Sequence, residues 1–373
     1  MLNMKNLNLK DKSDKLYYIG GIVRDEILGK ESFDIDLTYV GNAIEYAKNC
    51  DIQILKINEP FGTVRVLVDG KEVDIASTRK EIYEKAGHLP TVTEIGCSLK
   101  DDVLRRDFTI NAMAKNYNTG EVIDYTGGLN DIKNKTIRVL HDKSFIDDPT
   151  RIIRALKFSV RFDFTLDKHT EELREDYLKN INYDMSFKRV KKELIETFNL
   201  NSQKAYDEFM DKNIYKLVTK KTVNKPTVNI ENLINKYKSE INPKNIWLIY
   251  VGTLIDLTNL ELTKEEQNIL NEYKNLKQST YTSDFDIYKI FSDCTTEAIL
   301  LYAILDDEKN ATRFLDKLKR IKISIGGEEL KTIGIKPSKK YQECFDYILK
   351  EKLNNPEIST QEELKLARLF FGL

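Results

Sequence analysis

Apolar and polar positions alternate with a period near two in six short runs within the first 141 residues: 16–19, 35–40, 62–68, 72–76, 122–125 and 136–140. Each has the length of a strand, and glycines and helical stretches separate them. The pattern predicts an α/β head over residues 1–141. At Asp148 the period changes. Asp148-Pro149 joins an acidic N-cap to a proline at the first helical position, and Ser186 opens a second helix, SFKRVKKELIETF. These two helices make a neck over residues 142–200. Beyond residue 200 the chain is rich in Lys, Asn and Ile at helical spacing, with almost no glycine before Gly326-Gly327. That predicts a helical body and tail over residues 201–373. The class is α+β, and no internal repeat interrupts it.

Composition narrows the function classes. A chain of 373 residues, 41% apolar and 32% charged, predicts two or three packed units rather than disorder. The leading residues carry no apolar leader core. The longest apolar stretch, 246–255, is well short of the roughly 20 residues that a membrane span needs. Cys50, Cys97, Cys294 and Cys344 are scattered without CxxC spacing, which favours a reducing cytoplasm over a disulfide framework or zinc site. The three histidines stand alone and read as structural. A net charge of −1 gives no global pull on nucleic acid. The cations are unevenly placed, however: of 14 arginines, 11 precede residue 201 in a chain that otherwise prefers lysine. Arginine is kept where its planar fork has a use.

Three constellations carry chemistry. In the first, Tyr17-Tyr18-Ile19 runs into Gly20-Gly21, then Arg24-Asp25, then Phe33-Asp34-Ile35-Asp36-Leu37. A strand entering Gly-Gly and a helix lets backbone N–H groups approach phosphates. Asp34 and Asp36 share one face of a strand, where a hard cation such as Mg²⁺ relieves their repulsion. Asp74, in a later run, is a candidate third carboxylate; capping the following turn explains it equally well. The second is Arg105-Arg106-Asp107-Phe108-Thr109-Ile110-Asn111. It suits phosphate contact with Asp107 orienting a guanidinium, and alone it would read as a salt-bridged helix start. The third places Asp148, Arg151, Arg154 and Lys157 three residues apart, a slanting stripe on one helix face. Such a stripe is usually solvated. An Asp–Arg pair, though, can accept from an exocyclic amine and donate to the adjacent ring acceptor. That is the edge presented by C and A, and the reverse of the edge of G and U.

Together Gly20-Gly21-x-x-Arg24-Asp25, Asp34-x-Asp36, the Arg105–Ala114 run, Tyr125-x-Gly127-Gly128-x-x-Asp131 and Asp148-Pro-x-Arg151-x-x-Arg154 resemble the bacterial class II CCA tRNA nucleotidyltransferase and poly(A) polymerase family, in that family's order. Ser186-x-x-Arg189 with Glu193 resembles its next motif, and Gly326-Gly327 and Gly334-Ile-Lys-Pro337 its tail. The resemblance implies a polymerase-β-like head followed by helical neck, body and tail. It implies metal binding by Asp34 and Asp36, and nucleotide contacts from Gly20, Gly21, Arg24, Arg106, Asp148, Arg151 and Arg154. Two Mg²⁺ ions, ATP and CTP as substrates and the 3′ end of tRNA as acceptor follow from it, with neither a membrane nor an obligate protein partner. Asp147, Lys157 and Ser338 depart from the family's usual Glu, Arg and Gly. Residues 79–93, with Gly87 and Pro90 and no clear period, are expected to form a mobile loop that in the family aids the switch to A. Addition of A alone or CC alone, poly(A) synthesis, and non-catalytic RNA binding are the rival expectations.

Overall fold

The computed structural model describes residues 7, 9, 14–32 and 34–373. The remaining leading residues, read above as lacking an apolar leader core, and Phe33 lie outside the described residues. Two compact units separate. One runs to Thr197 and resumes over Lys204–Lys221; the other comprises Phe198–Gln203 and Thr222–Leu373.

The first unit is built on strands β1 (Leu16–Ile19), β2 (Asp36–Tyr39), β3 (Gln53–Asn58), β4 (Thr63–Val68), β5 (Lys71–Ser77), β6 (Arg79–Ile82), β7 (Thr91–Ile95), β8 (Met113–Asn116) and β9 (Val122–Asp124). Seven of them form one sheet in the order β3-β4-β5-β2-β1-β8-β9. Only β2 and β5 run parallel; the other neighbours are antiparallel. Alternation decides its two faces. Val64, Val66, Val73 and Ile75 are buried, and helix α2 (Ala43–Asn49) packs on β4 and β5 with Ala43, Tyr46 and Ala47 inward. The intervening positions, Arg65 and Asp74, face the other way.

Helices α1 (Gly21–Ile27), α3 (Leu99–Leu104), α4 (Gly128–Lys133), α5 (Ser144–Asp147), α6 (Thr150–Phe162), α7 (Lys168–Lys179) and α8 (Phe187–Phe198) complete most of this unit. The change of period at Asp148 and the start at Ser186 are where α6 and α8 begin. Asp148 accepts the Thr150 N–H at 3.2 Å and its hydroxyl at 2.6 Å, so the cap sits one residue earlier than Pro149. Ile152, Ile153, Leu156 and Phe162 bury the apolar face of α6.

Three parts differ from the pattern-based expectation. Residues 79–93 belong to a β6–β7 hairpin with paired strands rather than to an irregular loop. Strands β3 and β8 are additional. Of the run 136–140 only Thr136–Ile137 is strand, and it pairs in parallel with Thr165–Leu166 outside the seven-stranded sheet.

The second unit is helical. Its helix Thr296–Leu305 is buried over nine residues, as expected for a segment apolar on every side. A smaller cluster at the C-terminal end gathers Ile325, Leu330, Ile335, Cys344, Ile348 and Ala367. There the buried Glu363 accepts the N–H groups of Ser324 (2.8 Å) and Ile325 (3.1 Å) and pairs with Lys352. Among the described residues no helix is long and apolar enough to cross a membrane.

Candidate active site

The carboxylate face of the sheet, α1 and the start of the neck enclose a cavity of about 650 Å³. Gly20, Gly21, Arg24, Asp36, Asp74, Arg106 and Arg154 all line it. Gly20 has φ 75° and ψ −125°, a conformation open to glycine, and a Cβ there would lie 3.0 Å from Arg106 Nη1. Asp36 lies beside Asp74 in register. Asp34 is exposed two residues before Asp36 and is not part of the cavity lining. Burial, then the charges of Asp74 and Asp34, push the Asp36 carboxyl up to about 6, against the opposing pull of Arg106.

Several partners are not those that the spacing suggests. Arg65 holds Asp74 through two bonds, Nε to Oδ1 at 2.8 Å and Nη2 to Oδ2 at 2.7 Å. The third carboxylate is therefore engaged, and it does not cap the following turn. Arg24 is buried; it bonds Asp25 at 2.7 and 2.8 Å, donates to Asn111, and lies 4.4 Å from the Phe162 ring centre. Arg105 and Arg106 are held not by Asp107 but by the fully buried Asp102, at 2.7 and 3.2 Å. Asp107 orients Arg154 instead, accepting from Nη2 at 2.6 Å and Nε at 2.9 Å.

Tyr125-x-Gly127-Gly128 is a support. Asp124 accepts the N–H groups of Thr126, Gly127, Gly128 and Leu129 at the start of α4, and a Cβ on Gly128 would stand 2.3 Å from the Thr109 carbonyl. Asp131 takes the Thr109 hydroxyl at 2.7 Å. The turn leading to Asn111 is fixed from beneath.

A second cavity of about 310 Å³ shares Arg79, Arg105, Arg106, Asp107 and Arg154 with the first. Asp148 and Arg151 line it, and so do Tyr83 and Arg189. Both predicted residues are buried, but they are not paired. Asp148 binds Arg189 of α8, whereas Arg151 donates to Ser144 Oγ (2.7 Å), the Arg105 carbonyl (3.1 Å) and Tyr83 Oη (3.4 Å). The charged stripe of α6 thus meets a second stripe on α8 instead of solvent. Arg154 reaches Glu193 at 3.3 Å, and Lys157 reaches Glu193 at 2.7 Å and Glu196 at 2.6 Å.

The hairpin tip is fastened to both neck segments. Gly87 N–H donates to the Asp147 carbonyl (2.9 Å), the Gly87 carbonyl accepts from Ser186 N–H (3.0 Å), and Arg189 donates to the His88 carbonyl (3.2 Å). Lys85 and His88 add Asp184 at 2.7 and 3.1 Å. Gly87 has φ 80°, and a Cβ there would come within 2.7 Å of Met185 Cβ. Sequence reasoning missed Tyr83, Arg79, Lys56 and Arg65. For Arg65 a signal existed, since it interrupts Val64 and Val66 on an alternating strand.

Among the described residues no three His, Cys, Asp or Glu side chains converge as a ready metal cage. Mg²⁺ does not require one, because it keeps waters and substrate phosphates and takes one or two protein carboxylates. Asp36, which has Asp34 and Asp74 as neighbours and a carboxyl raised by burial, fits such an ion.

Arg154 also makes Asp107 a stability group. Burial would raise its carboxyl, but Arg154 and Asn111 hold it down to about 2, from an ordinary 3.8. A depressed folded pKa adds stability above the unfolded value and loses it as pH falls through the folded one. Wild type is expected to exceed Asp107→Asn by about 2 kcal/mol more at pH 6 than near pH 2. Urea unfolding from pH 6 downward measures this; a gap independent of pH refutes it.

Comparison with known proteins places this geometry. Residues 16–138 match the poly A polymerase head domain. An A-adding tRNA nucleotidyltransferase of Geobacter sulfurreducens is 31% identical over 94% of this chain but only 44% of its own length, so the chain spans less than half of that relative. An A-adding tRNA nucleotidyltransferase of Halalkalibacterium halodurans is 28% identical over 96% of this chain and 89% of its own. The structure of a Thermotoga maritima CCA-adding enzyme complexed with tRNA superposes with TM-score 0.76 at 27% identity, covering 96% of this chain and 91% of that one. Residues 16–138 thus form a poly A polymerase head domain, and along nearly its whole length the chain is similar in sequence and fold to A-adding and CCA-adding tRNA nucleotidyltransferases.

Proposed function

We propose that the protein is a template-independent RNA nucleotidyltransferase that adds C and A to the 3′ end of tRNA. The observation that carries this reading is the sharing of one guanidinium wall by two cavities, one holding Asp36 and Asp74, the other Asp148 and Arg151. A triphosphate and its base can then be held at the same time.

Asp34 and Asp36 would hold Mg²⁺; Asp74 would join them only after releasing Arg65. Bound there, Mg²⁺ supplies charge neutralisation at the triphosphate and makes the acceptor 3′-hydroxyl more acidic. Gly20 and Gly21 leave room for phosphates against the backbone. Arg106 and Arg154 face the phosphate chain, and Arg24 braces that wall. Three of Arg151's five N–H groups are committed to protein, which fixes the plane of the remaining two against a base. Asp148 Oδ1 is filled by the Thr150 N–H and hydroxyl, while Oδ2, bonded to Arg189 alone, keeps a lone pair for an exocyclic amine. Residues 1–141 act as catalytic head, 142–200 as base-reading neck, and the lysine-rich 201–373 as the part that grips tRNA by phosphate and shape.

A second reading, addition of A alone, is favoured by the names of the Geobacter and Halalkalibacterium relatives. One experiment separates the readings: tRNA ending before CCA, ending in CC, and complete, incubated with each triphosphate and sequenced at its 3′ end. CCA completion of the first substrate supports the proposal. Extension of the CC-ended tRNA only, by one A, supports the second reading. Long A tails indicate poly(A) synthesis, and no extension of any tRNA overturns both readings.

A further inference from the structure

The cavity face of the sheet carries a row of four charges, one per strand. Lys56 on β3 is the register partner of Arg65 on β4, Arg65 of Asp74 on β5, and Asp74 of Asp36 on β2. Two residues along, on the same face, Asn58 and Thr63 are also partners. All six line the larger cavity. The row reads cation, cation, carboxylate, carboxylate. Gly20-Gly21, at the end of β1, follow on the far side with Arg106 and Arg24 against them. The carboxylates therefore lie between two separate cationic walls.

A nucleotidyl transfer brings two polyanions to one place, the triphosphate and the acceptor strand. The Arg106 and Arg154 wall serves the first, and no residue has yet been assigned to the second. We propose that the β3–β4 edge is a subsite for the last phosphodiester of the RNA acceptor strand, with Lys56 as its principal phosphate contact. This rests on nucleotidyl transfer to tRNA as the activity. Lys56 is exposed and forms no ion pair among the described residues. Arg65, half-exposed while it holds Asp74, extends the positive surface toward the carboxylates. Asn58 and Thr63 add an amide and a hydroxyl suited to phosphate or ribose oxygens. Strands β3 and β2 lie three spacings apart, roughly 14 Å. The long side chains of Lys56 and Arg65 shorten that gap, so a phosphate held there leaves the terminal ribose near Asp36.

The test uses Lys56→Gln, a change at an exposed position that leaves the arginines and carboxylates in place. Binding is measured by titration against tRNA ending in CC and against the same tRNA trimmed to its double-stranded acceptor stem. The variant is expected to bind CC-ended tRNA about fivefold more weakly. Its slope of log affinity against log salt should be smaller by about 0.7, the value for one single-strand phosphate. Trimmed tRNA should bind both proteins equally, and KM for the nucleotide should be unchanged. A loss that persists with trimmed tRNA, a shift in nucleotide KM instead, or wild-type binding throughout would overturn the subsite. Failure of the wild-type protein to extend any tRNA would instead overturn the activity on which the subsite rests.

Discussion

Asp36→Ala is expected to bind tRNA as the wild type does and to add no nucleotide at ordinary Mg²⁺. The carboxyl that this substitution removes sits in a poor place for a charge. Burial and the neighbouring Asp74 and Asp34 push it up to about 6. No fold gains by keeping such a group ionised, whereas a site for a divalent cation does. Losing the ligand removes several kcal/mol of transition-state stabilisation, a rate loss of about a thousandfold or more. Contacts between RNA and the protein elsewhere remain, so affinity for tRNA should hold. The melting temperature should stay level or rise, because a like-charge repulsion is relieved. Asp34→Ala should behave in the same direction. Assays of addition, tRNA titration and thermal unfolding on both variants test all three expectations; ordinary activity in either variant defeats the metal assignment.

The second large effect concerns base choice. Arg151→Ala should lower CTP and ATP use together and narrow their advantage over UTP and GTP. One bidentate contact is worth about 1–3 kcal/mol of discrimination, or roughly five- to 150-fold. The geometry adds a condition to this expectation. Asp148 is oriented by Arg189 across 41 residues of sequence, and Arg151 by Ser144, Tyr83 and Arg105. Asp148→Asn retains an oxygen for the Thr150 N–H and loses the charge facing Arg189. It should therefore change selectivity while the start of α6 persists. Arg154→Ala should weaken nucleotide use with less effect on choice, because Arg154 is bound to Asp107 and Glu193. Competition among the four triphosphates measures each ratio. If Asp148→Asn and Arg151→Ala both keep the preference for C and A, these residues do not read the base.

Local patterns carried much of this structure. Val64, Val66, Val73 and Ile75 announce β4 and β5 by alternation, and Asp148-Pro149 announces α6. Strand β3 escaped because it is exposed along nearly all its length and has no apolar face to reveal a period. The hairpin escaped for a related reason. Both faces of β6 are largely polar, with Arg79 and Glu81 turned inward to ion pairs and Lys80 outward. Strand β8 begins in the last two residues of the Arg105–Ala114 run, whose motif character masked the start of a short strand. In the site, residue identities were legible and partners were not. Asp102 with Arg105 and Arg106 stands at the i,i+3 and i,i+4 spacing of a helix and could have been read. Asp148 with Arg189 and Asp107 with Arg154 are long-range choices among nearby opposite charges, which only the packing of α6 on its neighbours makes.

The fastening of the hairpin tip also limits how this protein can be recombined with its relatives. Gly87 meets the chain at Asp147 and Ser186, and its missing Cβ is matched to Met185. A chimaera receiving residues 79–95 from another member would bring a foreign tip to a native seat, and any side chain in place of Gly87 would collide with the neck. The transferable block is discontinuous: the hairpin together with residues 182–189, which supply Asp184, Met185, Ser186 and Arg189. Exchanging either segment alone would disturb Arg189, and Asp148 with it. Altered base choice in such a hybrid would then report a broken joint, not the specificity of the donor.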